Sequence, residues 1–219
     1  IKEILKETGG KIFIIGQPVI FERYLTGNGF LIFDNNGNIG AYIKKRLFPL
    51  IEGRPILPRL DYITSGYYTD KESTPWLKIN ENLNIFMLSC IEIENDGLFN
   101  KFLEDGPSII LTGGSEVGFN ELARKYQMKL SRFRALEQDK YLARATKRGY
   151  SIIVNPAGQI ITKSPTSEGD YFLISEVYLI KGKTFYSKIG EWPIIVLSLV
   201  SILFSLKRLN IFSKRKKRN

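Results

Sequence analysis

Short apolar runs, separated by turn-forming residues, make up most of the chain as far as residue 163. The run Leu83–Leu88 is apolar at five of six positions, which predicts a strand buried on both faces. Similar runs at 11–16 and 108–112 predict two further buried strands. Apolar segments flanking Asn35–Asn38 and Asn155–Gly158 predict two hairpins, because Asn, Gly and Pro favour tight turns.

A helical period appears once in the middle of the chain. Phe119, Leu122, Tyr126, Leu130 and Phe133 recur at spacings of three and four, which predicts an amphipathic helix to about residue 138 with this stripe facing the core. The Pro-, Gly- and Tyr-rich stretch 53–80 predicts a long irregular loop, and alternation over 171–178 predicts another strand. Strands alternating with helices indicate an α/β layered domain.

The segment 192–206 differs from the rest because it is strongly apolar and contains no charged residue. It is slightly shorter than the roughly 20 residues that span a bilayer, but flanking Lys207 and Arg208 can reach the interface. We predict a transmembrane helix at 186–210 followed by a basic cytoplasmic tail at 211–219, since cations accumulate on the cytoplasmic side. A buried core helix is the alternative interpretation.

The formal charge of +10 is unevenly distributed. Seven cations lie beyond residue 206 with no acid among them, which leaves +3 on residues 1–206. A mixed-charge body with a basic tail favours a membrane surface over nucleic acid, and we predict no nucleic-acid partner. The absence of histidine excludes a His-dependent nucleophile and disfavours a zinc site. Acid–base chemistry must therefore use Glu, Asp or Lys.

Cys90, the single cysteine of the chain, follows the Leu83–Leu88 strand and precedes a helix-like segment. A thiol on such a strand-to-helix turn shares its space with main-chain N–H groups, which suits a nucleophile beside an oxyanion site. The alternative is an inert, buried, small hydrophobic residue, which is the commoner situation for a lone cysteine.

Five segments in register carry a family resemblance: Lys44-x-x-Leu47-x-Pro49-x-x-Glu52, Ser89-Cys90-Ile91-Glu92-Ile93, Arg134-Ala135-Leu136-Glu137, Arg144-Ala145-Thr146-x-x-Gly149 and Gly190-Glu191-Trp192-Pro193. They resemble, in order, motifs of the apolipoprotein N-acyltransferases, membrane enzymes whose exposed domain belongs to the nitrilase superfamily. The resemblance covers essentially the whole chain. It implies a four-layer α-β-β-α sandwich over 1–185, incomplete at its N-terminus, followed by the transmembrane helix.

The resemblance also implies a Glu-Lys-Cys triad. Cys90 would be the nucleophile and Lys44 would stabilise the oxyanion together with the Ile91 N–H. Glu52 would belong to an essential loop, and Glu92 would support the site from the strand end. A nearby ammonium also favours the reactive thiolate. For Lys44, Glu52 and Glu92, the alternative roles are a solvated charge or structural ion pairs. No metal or cofactor is expected.

The reaction implied by the resemblance is acyl transfer in two steps. A fatty acyl chain would pass from a membrane phospholipid to Cys90 as a thioester, and then to the α-amino group of a lipoprotein's diacylglyceryl-cysteine. The implied location is the bacterial inner membrane, with the catalytic domain on the periplasmic face. Because the chain opens with Ile1, we expect a fragment. The family's general-base Glu precedes the part of the fold present here, so we expect this polypeptide alone to be inactive.

The sequence departs from the family at several positions: Ile91 replaces Tyr, Arg46 replaces His, and Thr112–Gly118 replaces a Ser-Asn-Asp-Ala-Trp-Phe-Gly loop. Two alternative functions stay open. One is a membrane-tethered nitrilase-type amidase, in which water replaces the amine acceptor. The other is a catalytically degenerate paralog that serves as a binding module.

Overall fold

A computed structural model describes residues 12–22, 25–34, 37–47, 74–81, 83–95, 97–98, 106 and 108–216. One sheet is antiparallel and consists of β1 (Ile12–Glu22), β2 (Leu25–Asp34) and β3 (Gly37–Ile43). The predicted first hairpin is confirmed, since β2 and β3 pair from Asp34↔Gly37 to Gly29↔Ile43. The strand predicted at 11–16 is longer than expected.

The second sheet has six strands in sequence order: β4 (Trp76–Asn80), β5 (Leu83–Ser89), β6 (Ser108–Ser115), β7 (Leu142–Lys147), β8 (Ile152–Val154) and β9 (Ile160–Lys163). Strands β5, β6 and β7 are parallel, and the other neighbouring pairs are antiparallel. The hairpin β8–β9 confirms the second predicted turn. Strand β5 ends in the 3-10 helix Cys90–Glu94, hereafter the Cys90 turn.

Strand β5 is buried on both faces, as its continuous apolar pattern predicted. Ile85 and Met87 pack against Phe30, Ile32 and Tyr42 of the first sheet. On the opposite face, side chains of β5 pack with those of β6–β8 and helix α1 (Glu121–Gln138). The described residues therefore form β-β-α layers, which confirms the α/β class with two packed sheets.

Helix α1 begins after its N-cap Asn120, whose side chain accepts a hydrogen bond from the Ala123 N–H, and ends at the left-handed Asp139. Its predicted inward face is wrong at three positions: Leu122 is 78% exposed, and Tyr126 and Phe133 are exposed as well. Leu130 of the same stripe does pack against the core. The buried face of the helix is mostly polar: Gln127, Ser131, Arg134 and Gln138. This face lies over strand ends and the Cys90 turn, where main-chain and charged groups need polar partners.

Three further local predictions differ from the structure. Part of the predicted loop 53–80 is strand β4, and the loop's residues 53–73 lie outside the described part. Strand β6 extends beyond the predicted run 108–112, because Gly113 pairs with both β5 and β7 and Gly114 pairs with β7. Residues 171–178 form no strand, since the only pairing nearby is the isolated bridge between Ser108 and Ile180.

The C-terminal part comprises the short helix α2 (Phe185–Ile189) and the long helix α3 (Trp192–Lys216). Apolar side chains are exposed along the described part of α3: Trp192, Ile194, Val196, Leu197, Val200, Leu203 and Phe204. Over the residues that the structure describes, no helix combines the length and the apolar character needed to cross a membrane. The membrane span predicted at 186–210 is not confirmed.

Candidate active site

The carboxyl ends of the parallel strands β5, β6 and β7 meet at one edge of the sheet, where Cys90 lies. Ligands of open α/β sheets commonly bind at this edge. Cys90 is partly exposed and adopts the left-handed backbone conformation, with φ of 53°. An L-residue rarely adopts that conformation without a constraint from its surroundings. The strand-end turn predicted for Cys90 is therefore confirmed, and its backbone geometry is unusual.

Gly114 lets the Cys90 turn pack closely on the neighbouring strand. A Cβ atom at position 114 would lie 2.9 Å from Cβ and 3.1 Å from Cα of Cys90. A side chain here would force the cysteine to shift, because the 2.9 Å contact is closer than real Cβ atoms approach and the 3.1 Å contact is tighter than most. Cys90 and Gly114 line a cavity of about 1280 Å³, whose wall also includes Asn28 and residues 144–149.

Glu92 connects the Cys90 turn to the end of β3. Its carboxylate is completely buried and accepts hydrogen bonds from the Tyr42 hydroxyl at 2.8 and 2.9 Å. The main-chain N–H groups of Lys45 and Arg46 donate to Oε1 at 2.7 and 3.1 Å, and that of Ser89 donates to Oε2 at 2.8 Å. One side chain thus joins the two segments that carry the predicted lysine and cysteine.

Lys44 lies within the segment that Glu92 holds against the Cys90 turn. Its side chain is fully buried, and its main-chain N–H donates to the Asn28 carbonyl at 2.7 Å. Asn28 and Cys90 line the same cavity, so the Lys44 main chain is bonded to a residue of the cavity wall. Folding brings the two segments to one side of the molecule although they are far apart in sequence.

Burial raises the pKa of Glu92, although the four donors around the carboxylate partly offset this effect. Burial, the adjacent Glu92 charge and their mutual hydrogen bond raise the pKa of Tyr42, so its hydroxyl stays protonated. Tyr42 can therefore serve as a permanent donor to Glu92. This part of the site is a fixed hydrogen-bonded support for the lysine and cysteine segments.

A second buried carboxylate, Glu116, follows β6 near the cavity. It forms an ion pair with Arg144 of β7, and both side chains are 3% exposed. Glu116 Oε2 has no hydrogen-bond partner, and its position next to Gly149 leaves no room for a side chain there. Burial raises the pKa of Glu116, while Arg144 and Arg124 lower it. Sequence reasoning missed this pair, because Glu116 lies in the loop that departs from the family motif.

Of the predicted site residues, the structure describes all but Glu52. Cys90, Glu92 and Lys44 lie on the two segments that the Glu92 carboxylate joins. The Ile91 side chain is buried beside them, and the role of its N–H stays a prediction. Glu52 lies outside the described residues, so its predicted role is unchanged.

An α/β domain with a cysteine at a strand end and a lysine-bearing segment beside it is the arrangement expected of a nitrilase-type protein. The carbon-nitrogen hydrolase family model matches residues 10–179, so the chain belongs to that family. This membership confirms the superfamily inferred from the sequence motifs.

The relatives named apolipoprotein N-acyltransferase agree with the motif resemblance. The one from Wigglesworthia glossinidia brevipalpis is 30% identical over 185 residues, which cover 78% of this chain and 35% of the relative. The one from Synechocystis sp. is 26% identical, and the match covers 80% of this chain and 35% of the relative. Apolipoprotein N-acyltransferase 2 from Treponema denticola is 24% identical, and the match covers 93% of this chain and 40% of the relative. The chain thus spans well under half the length of these relatives.

Solved structures support the fold. An amidase from Nesterenkonia sp. AN1 superposes with a TM-score of 0.56 at 18% identity, covering 74% of this chain and 62% of the amidase. That structure shows Michael addition of acrylamide at the amidase's own active-site cysteine. At this level of identity, the likeness shows a shared fold and leaves the reaction of this chain to be proposed.

Proposed function

We propose that this chain carries the nucleophile of an acyltransferase that moves a fatty acyl chain from a membrane phospholipid to the N-terminal diacylglyceryl-cysteine of a lipoprotein. The observation that supports the proposal best is the Glu92 carboxylate, which holds the Lys44–Arg46 segment against the Cys90 turn. The names of the relatives supply the acyl transfer and the lipoprotein acceptor, and the motif resemblance implies the phospholipid donor.

In the first step, the Cys90 thiolate attacks the ester carbonyl carbon of the phospholipid. The carbonyl oxygen becomes an oxyanion, which the Lys44 ammonium and the Ile91 N–H stabilise. The carbon–oxygen bond to glycerol then breaks, and the leaving alkoxide takes up a proton to give a lysophospholipid. The product on the protein is a Cys90 thioester.

In the second step, the amine of the lipoprotein attacks the thioester carbonyl. The carbon–sulfur bond breaks, the amine gives up a proton to a base, and the Cys90 thiolate is restored beside an amide product. By the family resemblance Glu52 would belong to an essential loop, and Glu92 keeps the lysine and cysteine segments in place. Cysteine is suited to both steps because the thiolate is a good nucleophile and a good leaving group.

The proposed substrates are lipids, and helix α3 supports a membrane location. Its exposed apolar side chains, among them Ile194, Leu197 and Leu203, have no covering protein layer among the described residues. We propose that this helix contacts the lipid of a bacterial inner membrane. The proposal places the catalytic domain on the periplasmic side and the basic residues 211–219 on the cytoplasmic side.

Intact-mass spectrometry tests the proposal, since the chain contains one cysteine. The protein is incubated with phospholipid vesicles or with a 4-nitrophenyl acyl ester, whose leaving group needs no added proton. Since this polypeptide lacks the family's general-base Glu, the activated ester is the donor expected to add the mass of one acyl chain. We expect neutral hydroxylamine to release the adduct and Cys90→Ala to lack it. We also expect Lys44→Met to slow adduct formation about 100-fold. Lys45→Met is the matched neighbour control.

The outcomes separate the competing functions. Absence of an adduct with both donors would contradict the acyl-transfer proposal. An adduct from the activated ester alone would agree with a polypeptide that lacks the family's general base, and the phospholipid donor is then tested on a protein that supplies this Glu. Release of ammonia from small amides without an acyl adduct from either donor would favour the nitrilase-type amidase over the acyltransferase.

A further inference from the structure

Helix α1 contacts the back of the Cys90 turn through Arg134. The guanidinium Nε donates to the Ile93 carbonyl at 2.8 Å, and one terminal nitrogen donates to the Glu94 carbonyl at 3.3 Å. The other terminal nitrogen pairs with Glu137 on the same helix. The Arg134 side chain is 8% exposed, so its charge is held among these partners.

The two carbonyls that Arg134 contacts belong to the end of the Cys90 turn. The last carbonyls of a helix lack partners within the helix, and a cation placed there satisfies them and interacts favourably with the helix dipole. Gln127, seven residues earlier on α1, adds a hydrogen bond of 2.6 Å from its side-chain nitrogen to the Glu94 carboxylate. The polar inner face of α1 is thus matched to this turn.

The Cys90 turn is therefore held at both ends. Glu92 accepts from Ser89, Lys45 and Arg46 on the side of the lysine segment, whereas Arg134 donates to the opposite end. Cys90 itself is in the left-handed conformation, which a cysteine adopts only under constraint. Two charged side chains from different elements supply that constraint.

We propose that Arg134 is a positioning residue for Cys90, which fixes the thiol towards the cavity by holding the Ile93 and Glu94 carbonyls. This inference deepens the proposed function, since it rests on Cys90 being the nucleophile. The contacts of Arg134 with the turn are to main-chain carbonyls. Arg134 acts through the backbone of the turn, and its planar fork suits two carbonyls better than a lysine ammonium would.

Alkylation of the thiol by iodoacetamide reports on the position of Cys90 directly, because no other cysteine can react. The rate is measured from about pH 6 to about pH 10 on the full chain, with the thermal midpoint recorded in parallel. The variants are Arg134→Gln, Arg134→Lys and the control Arg132→Lys. Arg132 is a matched control because it also donates from α1 to a carbonyl, that of Gly158 at 2.7 Å, away from the Cys90 turn.

We expect Arg134→Gln to raise the midpoint of the rate–pH profile by about one unit and to slow alkylation about tenfold at neutral pH. Arg134→Lys should restore part of the rate, and Arg132→Lys should leave the profile unchanged. If Arg134→Gln fails to fold, Arg134→Lys carries the comparison, with an intermediate shift expected.

An unchanged profile in a folded Arg134 variant, with only a lower thermal midpoint, would overturn the proposal and leave Arg134 a structural residue. An equal shift in Arg132→Lys would also overturn it, because the effect would then belong to helix packing in general. A missing acyl adduct in the wild type is a separate result. It would contradict the proposed acyl transfer while the alkylation difference still decided the role of Arg134.

Discussion

Glu92 and Glu116 are both buried carboxylates near the cavity, but their surroundings differ. Glu92 is fully buried and accepts from a tyrosine hydroxyl and three main-chain N–H groups. Glu116 is 2% exposed and pairs with a cation, Arg144, while its Oε2 has no partner. One carboxylate is stabilised by neutral donors from two segments, and the other by a single opposite charge.

This difference shows how a buried charge can fix geometry or merely be tolerated. Main-chain donors come from fixed positions, so the Glu92 carboxylate determines where the Lys45 and Ser89 backbones lie. A buried ion pair satisfies its two members but constrains the surroundings less, and apolar residues of similar volume often replace it without loss. We therefore expect Glu92 to be irreplaceable and the Glu116–Arg144 pair to be replaceable as a unit.

The largest effect is expected for Glu92→Ala. The substitution leaves three main-chain N–H groups and the Tyr42 hydroxyl without their acceptor in a buried site. We expect the free energy of unfolding to fall by about 4 kcal/mol, since unsatisfied buried donors cost about 1–3 kcal/mol each and partial relaxation recovers some of that. Urea unfolding followed by circular dichroism measures the change.

The control for this substitution is Glu94→Ala in the same turn. Glu94 is exposed, and among the described residues its carboxylate accepts a hydrogen bond from the Gln127 side chain, so we expect a loss below about 1 kcal/mol. Equal losses at the two positions would show that Glu92 has no special part in holding the turn.

An intermediate effect is expected for the ion pair. Arg144→Met alone leaves Glu116 as an uncompensated buried charge, which should cost about 3 kcal/mol of unfolding free energy. The double variant Glu116→Leu/Arg144→Met should return to within about 1 kcal/mol of the wild type. Failure of the double variant to recover would remove the distinction drawn between the two carboxylates. Urea unfolding of the wild type, the single variant and the double variant measures these free energies.

The smallest effect is a pH dependence. Burial raises the folded-state pKa of Glu116 above its ordinary value of 4.5, so the folded protein binds more protons than the unfolded chain just above that pH. The contribution of Glu116 to the free energy of unfolding must therefore decrease as pH rises from 4.5.

The Glu116→Gln variant has no titratable group at this position. The difference in unfolding free energy between the wild type and this variant therefore isolates the effect of Glu116. We expect that difference in unfolding free energy to decrease by about 1 kcal/mol over the first pH unit above the ordinary value. A difference that increases with pH would show that the Arg144 charge outweighs burial. Urea titrations at several pH values provide the measurement.

Apolar patterns predicted the buried strands because a strand covered on both faces must be apolar throughout. They placed helix α1 correctly but assigned the wrong face to it. Leu122, Tyr126 and Phe133 are exposed, while Gln127 and Arg134 are buried, because the neighbouring turn presents carbonyls and a carboxylate. The spacing of apolar residues along a helix carries no information about whether the surface it packs against is polar or apolar.

Cys90 and Lys44 were found through motifs, since each stands in a recognisable local segment. The interactions that organise the site could not be found in that way. Tyr42 meets Glu92 across 50 positions, and Arg144 meets Glu116 across 28. Strand order and register bring such pairs together, and neither can be predicted from local patterns in a single sequence. The cavity likewise depends on three strand ends meeting at one edge.

The backbone at Cys90 has a consequence for the stability of this chain. With φ of 53°, the position suits glycine or asparagine, and another L-residue costs roughly 1 kcal/mol more than glycine there. Exchange of Cys90 for either residue should therefore raise the stability of the chain. The thiol stands at a position that its backbone conformation disfavours, and Cys90→Gly should melt at a higher temperature than Cys90→Ala.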